Sequence, residues 1–298
     1  MGVHHFKQGL AGVDFANMSY EEHLEYLWDL LNDGIHGFCF SPYLDGQGPG
    51  TEVPAEQIRQ RLEIIRPHAR WIRTFSSTEG HQHSATIAKE MGLKTMVGVS
   101  IGHDHEKNLV ELYAGIELAN SGNVDILAVG NEVLLRGDVS LSQLIDYIET
   151  ARNACPGITI GYVDAYFQFE VHPALISACD VMLINCYPYW EDTPVEHSLL
   201  YVKEMYRRVQ ACSQGKPVII SETGWPSQGE AKGATVPSLI NMLRYFINVA
   251  TWCEKDGIEL FYFTSFDEMW KVGDEGDVGA YWGLWDKDGN FKYESLNK

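Results

Sequence analysis

The chain has 298 residues, 45% of them hydrophobic and 21% charged, with a formal net charge of −19. That length suits one large buried core and is short for two ordinary domains. The strong negative charge, with a pI near 4.9, disfavours nucleic acid and anionic membrane surfaces, because both would repel it.

Residues 1–18 carry no periodicity and read as a loose start. Ser19 with Glu22 makes a capping box, and Leu24, Leu27, Trp28 and Leu31 at helical spacing predict a helix over 19–33 that Gly34 stops. A strand is expected over Ile35–Tyr43, then a Gly/Pro-rich loop from Asp45 to Pro54, and Pro54 opens a helix whose Ile58, Leu62 and Ile65 face inward. Arg70–Ser76 reads as the second strand, 84–91 as its helix closed by Gly92, and Lys94–Ile101 as the third strand. Leu109, Leu112, Tyr113 and Ile116 mark the next helix. The fourth strand runs into Glu132, and Ser140 with Gln143 caps a helix striped by Leu141, Leu144, Ile145 and Ile148. Strand five is expected at 158–163, a short helix at 173–179, strand six at 181–189 and a long helix at 194–212. The seventh strand carries Glu222, a helix over about 236–255 ends at Gly257, and 260–268 reads as the eighth strand.

Eight strands separated by seven helical stretches are the pattern of an α/β fold, a (β/α)8 TIM barrel. No linker or repeat divides it, so a single catalytic domain over 1–298 is expected, with 1–34 as an N-terminal extension and helix and 35–298 as barrel and tail. After strand eight come only about thirty residues, rich in Gly and Trp, and no eighth outer helix. The helix at 19–33 is expected to pack beside the first or last strand and help close the ring. Cys39, Cys155, Cys179, Cys186, Cys212 and Cys253 show no C-x-x-C spacing and read as mostly buried thiols. No stretch has the apolar length of a membrane span, and no charged-then-apolar leader opens the sequence. The compartment stays open, with a secreted or periplasmic site expected if a leader has been removed.

Two apolar climbs end on carboxylates. In Val124-Asp-Ile-Leu-Ala-Val-Gly-Asn-Glu132 the glutamate shares strand parity with Ile126, Ala128 and Gly130. In Pro217-Val-Ile-Ile-Ser-Glu222 it shares parity with Val218 and Ile220. The glutamates lie 90 residues apart, and a barrel spends roughly 30 residues per βα unit, so three units separate them and both stand at the C-terminal mouth. Strands roughly 4.8 Å apart and tilted about 36° enclose a cylinder of radius about 7.6 Å, so these two strands face each other across about 14 Å. Each side chain reaches inward by about 4 Å, leaving roughly 5 to 7 Å between carboxyl groups. That interval suits glycoside hydrolysis and leans toward retention of configuration.

The segments Val129-Gly-Asn-Glu132 and Ile220-Ser-Glu-Thr-Gly-Trp-Pro-Ser227 resemble the two signature segments of the family-seventeen glycoside hydrolases, the endo-β-1,3-glucanases and β-1,3-glucanosyltransferases. Ile72-Arg-Thr-Phe-Ser76, Asn185-Cys-Tyr-Pro-Tyr189, Phe266-Asp-Glu-Met-Trp-Lys271 and the tail Tyr281–Tyr293 are similar to family segments in the same order. The resemblance implies a (β/α)8 barrel acting on β-glucan without cofactor or metal, with Glu132 as general acid/base and Glu222 as nucleophile. It further implies that Asn131 bonds the sugar 2-hydroxyl, that Tyr187 bonds the nucleophile, and that Glu268 and Lys271 form a supporting charged pair. Tyr189, Trp190, Trp225, Trp282 and Trp285 follow strand ends or lie in the tail, where rings can stack on sugars; Trp225 and Trp282 are the preferred contacts, with Tyr189 beside them. Tyr166, Phe167 and Phe169 could build an acceptor platform.

The first strand departs from the family pattern: Phe38-Cys-Phe-Ser-Pro-Tyr43 stands where a tyrosine followed by glycine is usual, and Tyr43 is the available substitute. Two rival readings differ in class. Paired histidines at His81/His83 and His103/His105 could ligate Zn2+ in a metal-dependent hydrolase, and a carbohydrate-binding barrel could lack catalysis. A monomer that cleaves β-1,3-glucan internally, with glucanosyl transfer as the alternative, is the expectation.

Overall fold

The computed structural model describes residues 12–273 and 275–293; most of the loose start expected over 1–18 lies outside that range. Eight parallel strands close into a barrel in sequence order. They are β1 (Ile35–Cys39), β2 (Ala69–Arg73), β3 (Lys94–Val99), β4 (Ile126–Asn131), β5 (Thr159–Ala165), β6 (Val181–Asn185), β7 (Val218–Thr223) and β8 (Leu260–Tyr262). The ring closes where Gly37 pairs with Phe261 and Phe38 with Tyr262. The expected (β/α)8 barrel is therefore what forms. Every residue of β6 and of β7 is buried, as parallel strands sandwiched between barrel interior and outer helices require.

The helices are α1 (Tyr20–Asp33), α2 (Ala55–Ile65), α3 (Gln82–Glu90), α4 (His105–Asn120), α5 (Val133–Arg136), α6 (Leu141–Ala154), α7 (Tyr166–Val171), α8 (Pro173–Ala178), α9 (Val195–Cys212) and α10 (Leu239–Asp256). Ser19 and Ser140 make the expected capping boxes at α1 and α6. The first turn of α4 is held by Asp104, whose carboxylate accepts from the amides of Glu106 and Lys107, and Ser238 does the same for α10 through Asn241. Helices α5 and α7 were not expected: at four and six residues they are too short to display a hydrophobic period.

Helix α1 packs on α10 and on the turn at Arg66–His68. It thus fills the slot in the outer ring that a helix after β8 would occupy. The tail packs against its neighbour: Trp285 meets Phe38 of β1 at 5.5 Å and Phe291 at 5.2 Å, while Phe291 meets Trp28 of α1 at 4.9 Å.

Several strands stop earlier than the apolar runs predict. β8 ends at Tyr262 rather than 268, because the following backbone pairs across the mouth: the amides of Thr264 and Asp267 donate to the carbonyls of Trp282 and Trp285, and that of Ser265 to Cys39. β6 likewise ends at Asn185, and the Tyr187–Thr193 stretch turns over the barrel top.

Candidate active site

The two glutamates reach the barrel mouth through the same local device. Between Ala128 and Asn131 the β4 ladder with β5 slips by one residue. Gly130 has φ +91° and Glu132 φ +53°. The simple alternation expected for Ile126, Ala128, Gly130 and Glu132 is therefore broken, and adjacent residues Asn131 and Glu132 both face the cleft. A non-glycine residue held at positive φ costs about 1 to 3 kcal/mol and persists only when its surroundings fix it. Here the amide of Glu132 donates to the Val163 carbonyl at 2.8 Å, and its carbonyl accepts from the amide of Arg136 at 3.0 Å. On β7, Ile184 pairs with Ile220 but Asn185 with Glu222, a second slip that lets the Ser221 hydroxyl donate to Asn185 Oδ1 at 2.9 Å.

A connected set of polar groups joins the carboxylates. Arg73, at the end of β2, donates from Nη1 to Glu222 Oε1 at 2.5 Å and from Nη2 to Asn131 Oδ1 at 2.9 Å. The Tyr187 hydroxyl donates to the other oxygen of Glu222 at 2.6 Å. Asn185 donates to Glu132 Oε1 at 2.9 Å. Glu222 is thus anchored by a guanidinium and a phenol, whereas Glu132 has, among the described residues, one neutral side-chain donor. Burial, then the charge of Glu222, push the Glu132 carboxyl up to about 7, against the bond from Asn185. The two carboxyls therefore sit in unequal settings, Glu222 paired with a guanidinium and Glu132 desolvated and held protonated near neutrality. Burial is the largest single influence on Arg73 and lowers the pKa of its guanidinium, but Glu222 and Cys39 together outweigh it and the net shift is upward.

Both glutamates line a cleft of about 1110 Å³, together with Asn131, Tyr187, Glu268, Lys271 and Trp282. Lys271 pairs with Glu268 at 2.9 Å and lies 4.3 Å from the Phe263 ring centre. Tyr189 and Trp225 stand apart from the cleft lining. Trp225 is fully buried and donates from its indole to the Val236 carbonyl. Tyr189 is packed edge-on between Trp225 and Trp282. These two rings build the wall behind the cleft. Trp190 does line the cleft, as do Tyr166 and Phe167, whereas Phe169 and Trp285 are buried elsewhere.

Three residues not singled out in the sequence shape this mouth. Arg73 is a buried charged side chain directly after Trp71 and Ile72 on β2, a signal in itself, since a buried arginine demands an anionic partner. Asn185 likewise ends a fully apolar run. Glu111, on α4, accepts from the Ser76 hydroxyl at 2.6 Å and from the amides of Ser77 and Ser100 at 2.8 and 3.1 Å, and so ties the loops after β2 and β3 together; nothing in its helical spacing announces this. Three of the four paired histidines bond to protein through their rings: His81 to Tyr43 at 3.0 Å, His103 to Asp138 at 3.1 Å and His105 to Tyr147 at 2.5 Å. No cluster of three or more His, Cys, Asp or Glu side chains placed to hold a metal occurs among the described residues. Among the same residues no helix is long and apolar enough to cross a membrane.

The chain matches the BtgE/BtgC glycoside hydrolase domain over residues 37–283. It is 28% identical over 264 residues to the probable family 17 glucosidase SCW10 of Saccharomyces cerevisiae, covering 86% of this chain and 66% of that protein. It is also 28% identical to a glucan 1,3-beta-glucosidase of Arthroderma benhamiae, covering 78% of this chain and 82% of that protein. Among solved structures it resembles an active-site mutant of the Rhizomucor miehei beta-1,3-glucanosyltransferase in complex with laminaritriose, with a TM-score of 0.78, 27% identity and coverage of 88% of this chain and 96% of that one. The chain spans about two thirds of the length of the yeast relative.

Proposed function

This chain belongs to the BtgE/BtgC glycoside hydrolase domain family, within the family-seventeen glycoside hydrolases, and from that premise we propose that it cleaves β-1,3-linked glucan by a double displacement with retention of configuration. The observation that carries the proposal is the unequal setting of two carboxyls in one cleft: Glu222 gripped by Arg73 and Tyr187, Glu132 raised to about 7.

In the first step a Glu222 oxygen attacks the anomeric carbon, the bond to the leaving sugar oxygen breaks, and Glu132 delivers its proton to that oxygen. The result is a glycosyl ester on Glu222. Forming the ester removes the Glu222 charge, one of the causes that raise the Glu132 pKa. Glu132 thereby becomes more acidic when it must act as base. In the second step it takes a proton from water, the water oxygen bonds to the anomeric carbon, and the ester bond breaks to restore the Glu222 carboxylate. To Asn131, which accepts a hydrogen bond from Arg73, we assign the bond to the sugar 2-hydroxyl beside the reacting carbon.

A second reading, transfer of the glycosyl group to another sugar, uses the same ester with a carbohydrate hydroxyl in place of water. Tyr166, Phe167, Trp190 and Tyr201 along the cleft favour it, since aromatic rings can hold an acceptor chain. We expect hydrolysis, by a monomer, to dominate in dilute substrate. Incubation with a β-1,3-linked glucose oligosaccharide, with products sized by mass spectrometry and the first anomer read by NMR, tests this: shorter products appearing first as the β-anomer are expected. Initial α-anomer would refute retention, and no turnover would refute the activity.

A further inference from the structure

We propose that Tyr43 reads a substrate oxygen in the cleft, its hydroxyl committed by His81 to donate outward; this deepens, and rests on, the carbohydrate reading above. Tyr43 lies on the loop after β1, lines the cleft and is 8% exposed. Its oxygen is 3.0 Å from His81 Nε2, and among the described residues that hydroxyl has no other hydrogen-bond partner. His81 is 4% exposed, and its Nδ1 is fully buried with no partner.

A neutral imidazole carries its proton on one nitrogen and a lone pair on the other. With the proton on Nδ1, a buried N–H would be left without an acceptor. With the proton on Nε2, only a lone pair goes unmet, and buried acceptors tolerate this better than donors do. His81 therefore donates from Nε2, the Tyr43 oxygen accepts, and the phenolic proton is left for an acceptor in the cleft. Burial lowers the His81 pKa against the pull of Glu111, Glu79, Glu268 and Glu52, which keeps the ring neutral. Tyr43 stays protonated for the same reason: burial, then Glu79, Glu268 and Glu111, raise its pKa.

The pair is braced from behind. Arg61 Nη2 donates to the Tyr43 carbonyl at 3.2 Å, the His81 and Trp270 rings meet Tyr43 edge-on at 5.3 and 6.1 Å, and the His81 amide donates to the Thr78 carbonyl at 2.9 Å. The amide of Val53 donates to the Glu79 carbonyl at 3.0 Å, strapping the loop after β1 to the loop carrying His81. A rigid donor with no protein acceptor is met by water in the cleft and by a substrate oxygen that displaces this water, and sites of this kind discriminate strongly against analogues lacking the matching oxygen. Sugars, dense in acceptor oxygens, are the fitting class.

The test uses two readouts. 15N NMR of the His81 imidazole should show the Nε2–H tautomer. In the Glu222→Gln background, and at a temperature where every variant is folded, Tyr43→Phe should weaken binding of laminaritriose by about tenfold and also lower the melting temperature, because it leaves the buried His81 Nε2–H without an acceptor, while His81→Gln, which keeps a donor aimed at Tyr43, should bind within about twofold of the parent. An Nδ1–H tautomer, or equal affinity of Tyr43→Phe and its parent, would overturn the proposal. If the Glu222→Gln parent binds no laminaritriose at all, the carbohydrate reading itself fails and takes this one with it.

Discussion

Arg73 Nη1 lies 2.5 Å from Glu222 Oε1, with the two residues only 1% and 5% exposed. A buried ion pair is costly to form but costlier to break on one side, because the surviving charge is left uncompensated. Arg73→Met should destabilise the fold by about 3 to 5 kcal/mol, measured by urea unfolding, and abolish turnover. Adding Glu222→Gln to that variant should recover most of the stability and none of the activity. If the double variant is no more stable than Arg73→Met, the guanidinium acts by packing alone.

The raised pKa of Glu132 makes a prediction with a definite sign. The folded chain favours the protonated carboxyl, so this contribution to stability is complete below the ordinary value of 4.5 and is lost as pH rises through about 7. Glu132→Gln cannot ionise and should be more stable than wild type at pH 8, by on the order of 2 to 3 kcal/mol, and no more stable at pH 4. Activity should follow the same group: kcat/KM of the wild type falls on the alkaline side as Glu132 loses its proton. Equal unfolding midpoints at pH 8 would show that Glu132 is not desolvated.

The carboxylates should separate kinetically. Glu222→Gln cannot form the ester and should lose turnover of every glycoside, whereas Glu132→Gln should spare the first step for an aryl glycoside whose leaving group needs no proton. Equal loss in both variants on that substrate would reverse or void the assigned roles.

How much of this was legible in the chain depended on range. The strands that carry Glu132 and Glu222 showed in the sequence because each is an apolar run ending on a charge, a local pattern. Their presentation did not show, because the slips at Ala128/Asn131 and Ile184/Asn185 depend on how neighbouring strands pair. Arg73 stands 149 residues from its partner, and no periodicity links them. Trp225 and Trp282 both follow strand ends in similar company, yet one is turned into the wall against Tyr245 and the other borders the cleft beside Tyr187. Composition identifies an aromatic residue; only packing decides which way its ring is turned.

The balance between hydrolysis and transfer turns on what occupies the acceptor position when the ester breaks. Water needs only access, while a sugar needs a surface that holds it in line with the ester. Trp190 is the cleft ring best braced for that purpose, with Tyr189 edge-on at 5.0 Å, Trp282 at 5.7 Å and the Lys232 ammonium 5.2 Å from the indole. If it is the acceptor platform, Trp190→Ala should lower the ratio of lengthened to shortened products from laminaritriose, at fixed concentration, by up to about tenfold, the equivalent of the roughly 0.5 to 1.5 kcal/mol that an aromatic contact supplies. Hydrolysis in dilute substrate should be nearly unchanged, because water does not use the ring. If Trp190 instead holds the donor chain, kcat/KM will fall for both routes together and the ratio will stay where it was. A fall in the ratio for Tyr166→Ala alone would move the acceptor to the loop after β5.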